Sequence, residues 1–192
     1  KANSATATYD GKEHEAVGVE TYEFTVEGNS YTVSGLSTED PKQKDAGSYT
    51  NNITGTPVVT DKEGNVVTSE FEVKTENGSL EIGKAAVTLK SATLSKKYDG
   101  NALVNGDTAL EVESGFAEGE GATYNFTGSQ TVVGSSANAF SYELNSNTNI
   151  DNYAISKQEG TLTVTNREAK YEITVKANSA TATYDGKEHE AV

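Results

Sequence analysis

Residues 84–100 read KAAVTLKSATLSKKYDG and residues 170–186 read KYEITVKANSATATYDG, and the two stretches align without a gap at an offset of 86. They share Lys84/Lys170, Thr88/Thr174, Lys90/Lys176 and the closing Tyr-Asp-Gly triplet. Val87 and Leu89 face Ile173 and Val175, so apolar and polar residues alternate in both copies, the period of a strand with one buried face. Further out, residues 1–17 (KANSATATYDGKEHEAV) recur unchanged as residues 176–192. The triplet therefore stands three times, at Tyr9-Asp10-Gly11, Tyr98-Asp99-Gly100 and Tyr184-Asp185-Gly186, with spacings of 89 and 86 residues. A tandem pair of diverged modules accounts for both repeats. Module one covers 1–83, module two covers 84–169, and 170–192 begins the next copy of module one.

The module ends agree with this division. Residues 71–82 match residues 153–164 position by position, with Phe71, Val73, Leu80 and Ile82 alternating in the first copy. Asn77-Gly78 and Glu159-Gly160 fall between the two runs, where a hairpin turn favours positive φ. Asp45-Ala-Gly-Ser-Tyr49 resembles the stretch from Val133 that leads into Phe140-Ser-Tyr142-Glu-Leu144. Other strand candidates are 21–26, 30–33, 57–60, 65–68, 109–113 and 123–127. No stretch carries a capped apolar pattern at helical spacing over three turns. The pattern predicts an all-β protein of small tandem β-sandwich modules of immunoglobulin-like type, with a β-grasp-like mixed sheet as the alternative. Each module is expected to bury its own core. The joints at 83–86 and 166–170 are short enough to restrict bending.

Composition narrows the function. The 192 residues hold 15 Lys and Arg against 29 Asp and Glu, a net charge of −14, which repels nucleic-acid phosphates and anionic lipid. Without cysteine there are no disulfides, thiolate nucleophiles, cysteine-bound zinc sites or iron–sulfur clusters. No apolar run reaches the roughly 20 residues that span a bilayer. Only 34% of residues are hydrophobic, yet ten Tyr and five Phe among many Val, Ile and Thr suit half-buried pleated surfaces.

Tyr98-Asp99-Gly100 after an opening strand, and Asn152-Tyr153-Ala154-Ile155 leading to Gly160-Thr161-Leu162-Thr163-Val164, resemble the YDG/MBG repeats of large bacterial cell-surface proteins. Module one matches more loosely, with Phe71 in the closing Tyr position. The resemblance implies tandem, extracellular, all-β stalk modules of adhesin-like chains, and no catalytic residues.

Candidates for chemistry are weak beside their structural readings. In each triplet the Tyr is expected to anchor the core edge and Asp-Gly to turn the chain, Gly supplying positive φ. His14 and its copy His189 lack a second histidine nearby in sequence, which leaves no metal or nucleophile–base motif and suits a solvated turn. The acidic clusters at Glu39-Asp40, Asp61/Glu63 and Glu118/Glu120 lack the ligand ladder of a calcium loop. Three N-glycosylation patterns, beginning at Asn52, Asn77 and Asn125, are expected by coincidence in such a composition. An isopeptide bond between Lys90 and Asn166 has no motif behind it. No catalytic site, metal or cofactor is expected.

The expected role is a structural repeat unit that spaces a distal adhesive region along a stalk or filament at the bacterial surface or in secreted form. Its partners are then neighbouring copies, in tandem or head to tail. The alternative is an adhesive module that takes host or neighbour glycan or protein on exposed Tyr residues. The alignment also places the counterpart of module two's opening strand at 171–175, ahead of the residues equivalent to Lys1. Module one is therefore expected to lack that strand, and 171–175 to belong to the next copy rather than to the core of module two.

Overall fold

Most of the alternating stretches become strands, with 71–76 and 171–175 the exceptions. The computed structural model describes residues 1–107 and 109–191; Thr108 and Val192, the last residue of the expected third unit, lie outside the described residues. The strands up to Gly83 are Ala5–Thr8 (β1), His14–Glu15 (β2), Glu23–Val26 (β3), Asn29–Thr38 (β4), Lys42–Gln43 (β5), Gly47–Asn51 (β6), Ile53–Asp61 (β7) and Gly78–Gly83 (β8). Beyond Lys84 come Ala85–Lys90 (β9), Leu94–Lys97 (β10), Leu103–Val104 (β11), Val112–Ser114 (β12) and Ala122–Phe126 (β13). Ser129–Gln130 (β14), Gly134–Ala137 (β15), Phe140–Leu144 (β16), Tyr153–Gln158 (β17) and Thr161–Thr165 (β18) complete the set. Helical structure among the described residues amounts to two short 3-10 turns, Thr68–Glu70 and Ile150–Asn152. The protein is all-β.

Each ladder joins strands on one side of Lys84, and the two sides repeat one another. The sheet β1-β8-β6 corresponds to β10-β18-β15, the pair β2-β5 to β11-β14, and β4-β7 to β13-β16. In both halves an early strand runs parallel to the last one, Ala5 opposite Leu80 and Leu94 opposite Leu162. That last strand is central in its sheet, so Leu80 and Ile82 in one half, and Leu162 and Val164 in the other, are almost fully buried. A buried asparagine repeats as well. Asn51 donates to the carbonyl of Asn3, and Asn138 to that of Ala92, satisfying backbone that no strand pairs.

The halves differ at one place. In the second half β9 is the middle strand of a sheet, parallel to β17 and antiparallel to β12. In the first half the counterpart of β17, Phe71–Glu76, belongs to no ladder, and β3, the counterpart of β12, pairs with β4 instead. Both departures have one cause: no described strand takes the place of β9 between them.

Several sequence expectations change here. The closing segments are not hairpins, because β17 pairs with β9 whereas β18 pairs with β10 and β15, in a different sheet. Gly78 and Gly160 accordingly are not among the glycines at positive φ. Residues 65–68 form an isolated bridge, Thr60 to Val66, and the start of a 3-10 turn rather than a strand. The modules do not keep separate cores either. Tyr9, Ala16, Leu80 and Ile82 pack in one cluster with Ala85, Val87, Leu89, Phe140 and Tyr153. Lys84 alone separates β8 from β9, so the halves meet directly.

Candidate functional site

The joint between the halves is where side chains converge. β1 ends at Thr8 and its ladder to β8 continues one residue further, Tyr9 N–H donating to the Gly83 carbonyl at 2.8 Å. This fixes the Tyr9 ring at the end of the first half. The ring stands edge-on to Tyr153, centroids 5.3 Å apart at 84°, and Tyr153 in turn stands 5.2 Å from Phe116. Edge-to-face pairing sets the positive rim of one ring against the negative face of the next.

Glu120 holds both phenols. The Tyr9 hydroxyl donates to its Oε1, and the Tyr153 hydroxyl donates to its Oε2 at 2.9 Å. Ala117 N–H donates to the Tyr153 hydroxyl at 3.1 Å, so that oxygen both gives and receives. A second clasp lies alongside. Asn152, 1% exposed, accepts from Ala46 N–H through Oδ1 and donates to Asp45 Oδ1 through Nδ2, each at 2.8 Å. Gly11 closes the contact, since a β-carbon there would stand 3.1 Å from the Ala117 methyl group.

The triplets divide accordingly. In all three the Asp-Gly pair turns the chain as expected: Gly11, Gly100 and Gly186 have φ of +80°, +86° and +76°. Asp10, Asp99 and Asp185 accept from the N–H two residues on, at 2.9 to 3.0 Å. The tyrosines differ. Tyr9 is buried in the joint and not at the edge of its own module's core, Tyr98 is half-buried at the outer end of the second half, and Tyr184 is 93% exposed. One backbone motif thus leaves its ring in three different settings.

His14 begins β2, and its Nε2 lies 3.0 Å from Asp10 Oδ1, a pair that His189 and Asp185 repeat at 2.9 Å. Lys90 Nζ pairs with Glu111 at 3.0 Å, whereas Asn166 lies beside Tyr98, Arg167 and Lys170, so the structure does not bring Lys90 and Asn166 together. Asp40 caps Gly18 N–H and Thr38, and Asp61 organises the loop to Asn65. Among the described residues no three His, Asp or Glu side chains gather to hold a metal ion. None of the described helices is long and apolar enough to cross a membrane.

Sequence reasoning missed Glu120, Asn152 and Asp45. Glu120 stood in an acidic cluster weighed only as a calcium ligand, and nothing in its neighbourhood pairs it with a tyrosine 111 residues away.

Ionisation is shifted in the joint and in the turns, in opposite directions. Burial, then the carboxylate of Glu120, pushes the Tyr9 phenol well above the ordinary range, and burial raises Tyr153 first as well. A raised folded-state pKa means a contribution that is complete below the unfolded phenol value of about 10 and is lost as pH climbs beyond it. In the turns the sign reverses. The Lys12 N–H and then His14 hold Asp10 low, while Lys96 and then the Asn101 N–H hold Asp99 low, so this contribution disappears as pH falls below about 4. Ultraviolet titration at alkaline pH should show Tyr9 and Tyr153 ionising late, held back until the joint opens. Ionisation of all ten as one class would contradict the burial of these two rings.

No family model, curated protein or solved structure matches the chain.

Proposed function

We propose that the chain is a structural repeat unit of YDG/MBG type in an extended stalk or filament, displayed at a bacterial surface or secreted, whose partners are further copies of itself. The observation that carries this reading is the joint. A single residue between β8 and β9, a shared apolar cluster and two hydrogen-bonded clasps make a stiff connection rather than a flexible tether. Stiff joints in series make copy number a ruler for length. The net charge of −14 keeps neighbouring stalks apart.

Within this reading each module is a small immunoglobulin-like β-sandwich. In module two, the sheet β12-β9-β17 turns Val87 and Leu89 inward and the sheet β10-β18-β15 turns Leu162 and Val164 inward. Residues 84–169 contain every ladder partner of β9 to β18, so this segment alone should give β-type circular dichroism and a cooperative melt. The melt should come at lower temperature than in the full chain, because Tyr153 loses Tyr9. A non-cooperative melt would move the module boundary.

Small-angle scattering on proteins carrying one, two and three copies of the repeating unit tests the stalk. The maximum dimension should grow by a constant increment per copy. Compact particles that grow only as the cube root of mass would reject it.

A further inference from the structure

We infer that Asn105-Gly106, in the loop from β11 to β12, is a site of spontaneous deamidation that ages module two, and that the fold withholds the same chemistry from Asn77-Gly78. The inference stands on these two dipeptides and their surroundings, and is independent of the stalk reading.

Asn-Gly stands twice in the sequence, at 77–78 and 105–106. A glycine after asparagine brings its own amide nitrogen up to the side-chain amide, because no β-carbon is in the way and the backbone turns freely. The fold decides which copy can use that freedom. Gly78 is buried and begins β8, where it pairs with Asn51 of β6. A β-carbon there would stand 2.1 Å from the Asn3 carbonyl oxygen, so the backbone has no room to swing. Asn77 is held as well, its Oδ1 accepting from Ile53 N–H and its Nδ2 donating to Asn52 Oδ1. Gly106 is the opposite case. It is exposed, lies in no strand, and nothing stands within 4 Å of a β-carbon placed on it.

The surroundings of Asn105 supply the second part. Its Oδ1 accepts from Asn138 Nδ2 at 2.7 Å, and the buried Asn138 is fixed by a second bond from the same nitrogen to the Ala92 carbonyl. A fixed donor on the oxygen of an amide under attack stabilises the charge that develops there. The step balances with water as its only co-reactant. Gly106 N gives its proton to solvent base and bonds to Asn105 Cγ, while the carbonyl electron pair moves onto Oδ1. When that pair returns, the Cγ–Nδ2 bond breaks and the nitrogen leaves as ammonia with a proton from solvent. Water then opens the cyclic imide at either carbonyl, which leaves aspartate or its isoaspartyl isomer at position 105.

The product disturbs what the amide held. Asn105 Nδ2 donates to the Asp107 carbonyl at 2.9 Å, and at longer range to Asp107 Oδ1 and the Ala109 carbonyl. A carboxylate oxygen in its place repels all three, and the loop loses its internal tie. Each conversion also adds a negative charge to a chain already at −14.

Incubation of the full chain at mildly alkaline pH, followed by peptide mass mapping, tests this. Position 105 should convert at least about tenfold faster than position 77, equivalent to about 1.4 kcal/mol of barrier. In concentrated urea position 77 should catch up, whereas position 105 should gain nothing, because Asn138 no longer steadies the developing charge. Gly106→Ala should slow conversion at 105 by a similar factor with the melt of the parent, since the added methyl group meets open space. Asn105→Asp should move the amide signals of Asp107 and Ala109 as the aged protein does. Equal conversion of both positions in the folded chain, or a rate at 105 that rises on unfolding, would overturn the inference. Undiminished conversion in Gly106→Ala would overturn it too, because the attacking nitrogen would not be that of residue 106.

Discussion

Replacing Tyr9 by alanine should lower the unfolding free energy of the chain by about 3–5 kcal/mol, the range for deleting a buried aromatic ring from a packed site. The ring is 4% exposed, and its loss strips an edge contact from Tyr153 and a hydrogen bond from Glu120. The same substitution at Tyr98 should cost about 1 kcal/mol, because that ring is half-buried at an end that no module covers. At Tyr184, exposed to 93%, the change should stay within about 0.5 kcal/mol. Urea titration of the three variants measures the series. If the tyrosine anchored its own module's edge, Tyr98→Ala would cost as much as Tyr9→Ala, and that equality would refute the joint as its place. Glu120→Ala tests the clasp from the other side. Combined with Tyr9→Phe it should be less damaging than the sum of the two single changes, since the second has no hydrogen bond left to remove.

What the sequence made legible follows from what repeats. Alternation placed β9, because a period of two survives divergence, whereas 171–175 carries the same alternation and forms no strand. The three triplets read correctly as turns, since Asp and Gly act on their own backbone within two residues. Long-range partners did not show. Glu120 and Tyr9 are linked by packing of one half on the other, and no local pattern encodes that geometry. The closing segments misled for a related reason. Two alternating runs with a glycine between them suit a hairpin, but the hydrogen bonds of β17 and β18 go to different sheets, and parallel partners far away in sequence decide this. Phe71–Glu76 makes the point in reverse. It carries the alternation of a strand and forms no ladder, because the counterpart of β9 is not beside it. Propensity proposes a strand, and a partner completes it.

Gly160→Ala should destabilise module two by about 2–4 kcal/mol, and Gly78→Ala should do the same to module one, for a reason unlike that of the turn glycines. A β-carbon on Gly160 would stand 2.3 Å from the Ala92 carbonyl oxygen and 2.5 Å from that of Ser91. At Gly78 the equivalent oxygens, of Asn3 and Ala2, would be at 2.1 and 2.7 Å. These are backbone atoms, and the carbonyls of Asn3 and Ala92 are held by the buried Asn51 and Asn138, so they cannot swing aside as a surface side chain does. Gly100 offers the contrast. Its φ is +86° and nothing lies within 4 Å of a β-carbon placed there, so alanine should cost only about 1 kcal/mol of backbone strain. Asparagine separates the two mechanisms. It tolerates positive φ, so Gly100→Asn should recover much of the loss seen with alanine, whereas Gly160→Asn adds bulk against the same carbonyls and should be at least as damaging as Gly160→Ala. Melting of the five variants decides the matter. Recovery by asparagine at position 160 would mean that the residue turns the chain, and that β17 and β18 form a hairpin after all.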